Sequence, residues 1–224
     1  MQYEIKGSPF SIIECKLSAG ESMKCQKGGM AWMSKNMVMK TQGGGLGKMF
    51  GKLLTGESMF YNNYTAEGGD GEIAFGMSFP GNIIAVDVAA TPIVAQKGAF
   101  MACENGVEMA VFFQKKLGAG FFGGEGFIMQ KFSGQGMAFL EVDGSTIEKT
   151  LSEGEMLTVD TGYVAAMEAT CSIDVTTVSG IGNAVFGGEG LFNTQVKGPG
   201  KVWLQTMPLP ALANSLVPYL PFKN

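Results

Sequence analysis

The segment Phe122, Gly123, Gly124, Glu125, Gly126, Phe127 returns as Phe186, Gly187, Gly188, Glu189, Gly190, Leu191, and more loosely as Leu54, Thr55, Gly56, Glu57, Ser58, Met59. The Gly-Glu pairs lie 68 and then 64 residues apart, a period long enough for each unit to be a whole sheet layer. When the three Glu are aligned, Phe60 and Tyr64, Ile128 and Phe132, and Phe192 and Val196 fall at matching alternate positions, which is strand periodicity.

Further elements follow from the same alignment. The run after Glu125 passes through Ser133, Gly134, Gln135, Gly136 and resumes at Met137; the third copy does likewise through Lys197, Gly198, Pro199, Gly200. Gly at the first central position predicts β-hairpins with type II′ turns. In the first copy the equivalent loop, Thr65 to Gly71, is three residues longer. Upstream, Leu17, Gly20, Glu21, Gly28 and Met33 match Leu151, Gly154, Glu155, Gly162 and Met167 at a constant offset of 134. Short strands between Gly turns predict an all-β, antiparallel sandwich or barrel-like domain. The expected organisation is one domain over 1–224, with internal repeats at about 17–80, 85–141 and 151–205 and a Pro-bounded helical tail over 206–224. Only Leu209 to Tyr219 suits a helix.

Composition excludes more than it suggests. The chain has no His and no Arg, its sixteen basic residues all being Lys, so an imidazole base, an imidazole metal ligand and an arginine fork on phosphate are absent. A net charge of -4 argues against DNA as a partner, which requires a basic stripe. Cys15, Cys25, Cys103 and Cys171 form no Cys-x-x-Cys pair and the amino terminus has no signal-peptide pattern, so a cytoplasmic protein with buried thiols is expected. The apolar tail is cut by Pro208, Pro210, Pro218 and Pro221 and cannot form a transmembrane segment.

With the Phe-Gly-Gly-Glu-Gly blocks at 122 and 186, the run Gly198, Pro199, Gly200, Lys201, Val202, Trp203, Leu204, Gln205 and the Pro-Leu tail at 208–221, the chain resembles the altered-inheritance-of-mitochondria family, long catalogued as a domain of unknown function with a tryptophan-attenuator-like fold. The resemblance implies an antiparallel β domain with three pseudo-repeats, an oligomer, and no established enzymatic activity in bacterial members.

Several motifs have a chemical and a structural reading. Gly118, Gly120 and Gly123 satisfy Gly-x-Gly-x-x-Gly, but a strand follows where a dinucleotide site needs a helix. Gly43 to Lys52 lacks the first Gly and the hydroxyl of a phosphate loop. Glu57, Glu125 and Glu189 are the candidate ligand or structural residues: converging, they would suit calcium or magnesium; acting separately, each closes its own Gly turn, and the local role is the one expected. Tyr61, Tyr64, Phe121, Phe122 and Trp203 would be stacking platforms for single-stranded RNA if exposed. The methionines Met30, Met33, Met37 and Met39 read as core filler. No catalytic residue and no cofactor is assigned. The expectation is a non-enzymatic oligomeric scaffold or interaction protein, a homo-oligomer with a trimer as first guess and an unknown protein partner. A small-ligand or divalent-cation-binding β domain and an RNA-binding ring are the alternatives.

Overall fold

The computed structural model describes residues 1–42, 61–115, 126–177 and 192–220. After β1 (Gln2–Lys6), the strands of the described residues come in three runs of six. The first run is β2 (Ile12–Leu17), β3 (Ser22–Gln26), β4 (Met30–Met33), β5 (Met37–Gln42), β6 (Tyr61–Ala66) and β7 (Gly71–Gly76). The second is β8 (Gly81–Asp87), β9 (Ile93–Gln96), β10 (Phe100–Glu104), β11 (Val107–Lys115), β12 (Phe127–Gly134) and β13 (Met137–Asp143). The third is β14 (Thr146–Leu151), β15 (Met156–Asp160), β16 (Val164–Glu168), β17 (Ser172–Thr177), β18 (Phe192–Lys197) and β19 (Gly200–Gln205). The helix α1 (Leu209–Leu216) and a 3-10 turn, Val217–Tyr219, follow.

Strand pairing is antiparallel throughout the four sheets. Their orders are β1-β2-β7-β4, β5-β6-β3-β10-β13-β8, β11-β12-β9-β16-β19-β14 and β15-β18-β17. In every run the first, third and sixth strands enter one sheet while the second, fourth and fifth enter the next. The second strand of one run then pairs with the third strand of the following run, as β3 with β10 and β9 with β16. A register shift recurs early in each third strand, at Met30/Trp32, Phe100/Ala102 and Val164/Ala166.

Because successive strands alternate between sheets, three apolar cores form between four layers. The first holds Ile13, Met23, Ile73, Phe75 and Phe139; the second Ile93, Phe100, Phe132, Leu140 and Trp203; the third Val94, Phe127, Met129, Met167 and Val202. The alternation expected of a strand is plain in β2, where Ile13, Cys15 and Leu17 point inward.

The expected hairpins are not hairpins. β12 and β13 flank the turn at Gly134, Gln135, Gly136 but belong to different sheets, as do β18 and β19, and β6 and β7. The glycines serve the crossing: Gly134 and Gly136 have φ of 92° and 112°, and a Cβ on Gly136 would lie 2.6 Å from Glu104 Oε2. Besides β1 with β2, the strands that pair with their neighbours in sequence among the described residues are β5 with β6, β11 with β12 and β17 with β18.

Candidate functional site

Glu57, Glu125 and Glu189 lie outside the described residues, as do the Gly-x-Gly-x-x-Gly match and the Gly43 to Lys52 run. Each Glu belongs to a segment joining the two members of one of those antiparallel pairs: β5 and β6, β11 and β12, β17 and β18.

Turn closure by a carboxylate does occur, at other glutamates. Ser18 N–H donates to Glu21 Oε2 at 2.8 Å, and Ser152 N–H donates to Glu155 Oε2 at 2.8 Å, across turns in which Gly20 and Gly154 have φ of 86° and 78°. The amide of Ser18 holds the Glu21 carboxyl below its ordinary range. Two further carboxylates accept backbone amides at the crossing turns, Glu104 from Met137 at 2.7 Å and Glu168 from Lys201 at 3.0 Å. In the first run the Ser34 hydroxyl takes that place, accepting from Glu72 N–H at 2.8 Å.

Glu141 on β13 is the most deeply buried carboxylate described, and its sequence signal is a charge inside the apolar run Met137 to Val142. It accepts from Ser78 N–H at 2.8 Å, Ser78 Oγ at 3.2 Å and Gln26 Nε2 at 2.9 Å, so it ties the second run to the first. Burial pushes its carboxyl above the ordinary value against the pull of those donors. Glu141→Ala removes the acceptor of the Ser78 amide and leaves Gln26 Nε2 only its 3.3 Å bond to Ser78 Oγ, and should cost about 2 kcal/mol in urea unfolding. A loss below roughly 0.5 kcal/mol, the level of a neutral surface change, would show the network to be dispensable.

An open cleft beside β1 is lined by Met1, Lys16, Ser34, Asp70 and Glu72. Asp70 Oδ1 already accepts from Ala19 N–H at 3.1 Å, and Lys16 is exposed. Among the described residues no group of three His, Cys, Asp or Glu side chains is placed to hold a metal ion. Of the candidate stacking residues, Tyr64 and Trp203 are in the cores, the Trp203 indole N–H donating to Glu148 Oε1 at 2.9 Å; Tyr61 is half-buried with the Lys24 ammonium 5.9 Å from its ring centroid, and Phe121 and Phe122 lie outside the described residues. Met37 is core filler as expected, and Met30 packs partly against the core, but Met33 and Met39 are exposed. All four cysteines are free and buried. Burial pushes the Cys15, Cys25 and Cys103 thiols up to about 12, so they are protonated at neutral pH and are poor nucleophiles. No helix among the described residues is long and apolar enough to cross a membrane.

The chain matches the family described as Mitochondrial biogenesis AIM24 over residues 3–207 and belongs to it. It is 31% identical over 222 residues to an uncharacterized protein of Streptococcus pyogenes serotype M6, an alignment covering 95% of this chain and 88% of that one. A crystal structure of a Streptococcus pyogenes protein has the same fold, with a TM-score of 0.82 at 27% identity, covering 98% of this chain and 99% of the other.

Proposed function

We propose that the protein is a non-enzymatic interaction scaffold that works as a closed homo-oligomer. The carboxy-terminal element carries this reading. From Met207 to Leu220 there is no charged residue, and no residue of α1 is buried. Leu209, Leu212 and Leu216 recur at helical spacing, the pattern of a face made to be covered. The helix is anchored, since Leu209 N–H donates to Asp143 Oδ2 at 2.8 Å and Met207 N–H to the Asp143 carbonyl at 3.2 Å. A held, uncharged helix ending in exposed Val217, Tyr219 and Leu220 is suited to a protein surface.

The non-enzymatic part rests on the chemistry of the side chains. The thiols are held protonated, the chain has neither His nor Arg, and Glu21, Glu104, Glu155 and Glu168 already accept backbone amides. Four free thiols suit the reducing cytoplasm, which we take as its compartment. Light scattering on the full chain at about 10–50 micromolar, a range suited to a specific interface, should give a multiple of the chain mass, three copies being the first expectation. A monomer at those concentrations would overturn the oligomeric reading.

A further inference from the structure

We propose that a second copy of this chain docks edge to edge, its β15 adding to the open edge of β4 in the register the chain already uses twice within itself. This rests on the oligomeric reading above and names the contact that builds the oligomer.

Inside the chain, Ala102, Cys103 and Glu104 of β10 lie opposite Cys25, Lys24 and Met23 of β3. At the next junction Ala166, Met167 and Glu168 of β16 lie opposite Ala95, Val94 and Ile93 of β9. Carried to the corresponding strands, both junctions give one register: Trp32 opposite Val159, Met33 opposite Thr158, Ser34 opposite Leu157. That third pairing is missing from the described residues, where β4 pairs only with β7 and β15 only with β18.

Burial shows the same vacancy. Ala102 and Ala166 are 0% exposed whereas Trp32, at the same position, is 45% exposed; Cys103 and Met167 are 0% exposed against 39% for Met33. On the other side, Met23 and Ile93 are fully buried while Leu157 is half-buried, and Cys25 and Ala95 are fully buried while Val159 is half-buried. The residue types agree. Unpartnered edges are ordinarily guarded by charge, as β1 is by Glu4 and Lys6 and β14 by Glu148 and Lys149. β4 contains no charge and no Pro, and the one charge of β15 is Asp160 at its end, whose Oδ1 accepts from Gly162 N–H at 3.1 Å, so the positions that would pair are uncharged at both edges.

The contact joins two different surfaces, so it is heterologous and closes only as a ring. In a closed trimer every β4 is covered by a neighbouring β15, and the fourth sheet of one copy becomes continuous with the first sheet of the next. Main-chain hydrogen bonds supply the affinity, and the exposed Trp32 and Met33 the apolar burial.

The test uses two full-length single-cysteine additions, Met33→Cys and Thr158→Cys, on copies with different tags, coexpressed and treated with a short bifunctional thiol reagent. The native thiols are buried and serve as an unreactive background. Opposed residues in an antiparallel pair have Cβ atoms about 4.5–5.5 Å apart, within reach of such a reagent. A two-chain product carrying both tags is expected, with none when Met33→Cys is paired with Ile147→Cys on the exposed face of β14. Trp32→Lys, folded by circular dichroism, should shift the mass to the monomer. A double variant that cross-links only within one chain would overturn the proposal, as would a Trp32→Lys protein that keeps the parental mass. An oligomer by light scattering that yields no two-chain product sinks this pairing and leaves the scaffold standing; a monomer sinks both.

Discussion

Between pH 8 and pH 10 the protein is expected to lose roughly 4 kcal/mol of folding stability through three buried thiols. Cys15, Cys25 and Cys103 are each 0% exposed, and desolvation pushes them from 9.0 up to about 12; Cys171 is raised for the same reason. The folded state therefore holds protons that the unfolded chain releases, so the stabilisation is complete below the unfolded value and is lost as pH rises toward the folded one. One pH unit above the unfolded value, each group has lost about 1.4 kcal/mol, and three together lose roughly three times that. Against a total of about 5–15 kcal/mol for an ordinary domain, this is a large fraction. Urea unfolding at pH 8, 9 and 10 reads it directly. Replacing all three residues with Ala should flatten this limb, while any contribution from lysine titration stays in both proteins. A loss below about 1 kcal/mol, or an equal loss in the triple variant, would show that the thiols are hydrated in the folded state.

Local periodicity made the strands and the helix legible, while pairing was not. The offset block was sound where it named a turn: Gly20 with Glu21 and Gly154 with Glu155 close the same turn with the same hydrogen bond. It also placed Met33 and Met167 at the same position of the third strand, although Met33 is exposed and Met167 buried, because residue type does not record whether the next strand is present. The hairpin reading failed for a similar reason. A Gly turn shows that the chain reverses, and a reversal serves a crossing between layers as well as a hairpin.

A second signal lay in β12 and β13, where Phe127 to Gln130 and Ala138 to Val142 are buried without alternation. Strands buried on both faces belong to sheets with a layer on each side. Of the candidate platform residues, Tyr64 and Trp203 are drawn into the cores, which composition does not foretell. Glu141 was readable as a charge inside an apolar strand; its partners, Gln26 of the first run and Ser78 of the loop between β7 and β8, are set by tertiary packing alone.

Phe75→Ala, Phe132→Ala and Phe127→Ala, one in each core, should each lower the same single unfolding transition by about 3–5 kcal/mol. The three rings are 0%, 0% and 1% exposed, so each truncation removes apolar contact and leaves a cavity that a close-packed interior fills only in part. That the cores fail together follows from the sheets between them. Met101 and Phe139 of the second sheet pack into the first core while Phe100 and Leu140 of the same strands pack into the second. In the third sheet, Ile93 and Ala95 face the second core and Val94 the third. Releasing one core strips the back of a sheet whose other face is still packed, which couples neighbours and suppresses partly unfolded states. Phe112, 41% exposed on β11, supplies the contrast: its truncation should stay within about 0.5 kcal/mol. Urea unfolding followed by circular dichroism, with calorimetry comparing the van't Hoff and calorimetric enthalpies, checks both the size and the unity of the effect. Two resolved transitions, of which a given substitution moves only one, would mean that the layers fold as separate units and that the shared sheets do not couple them.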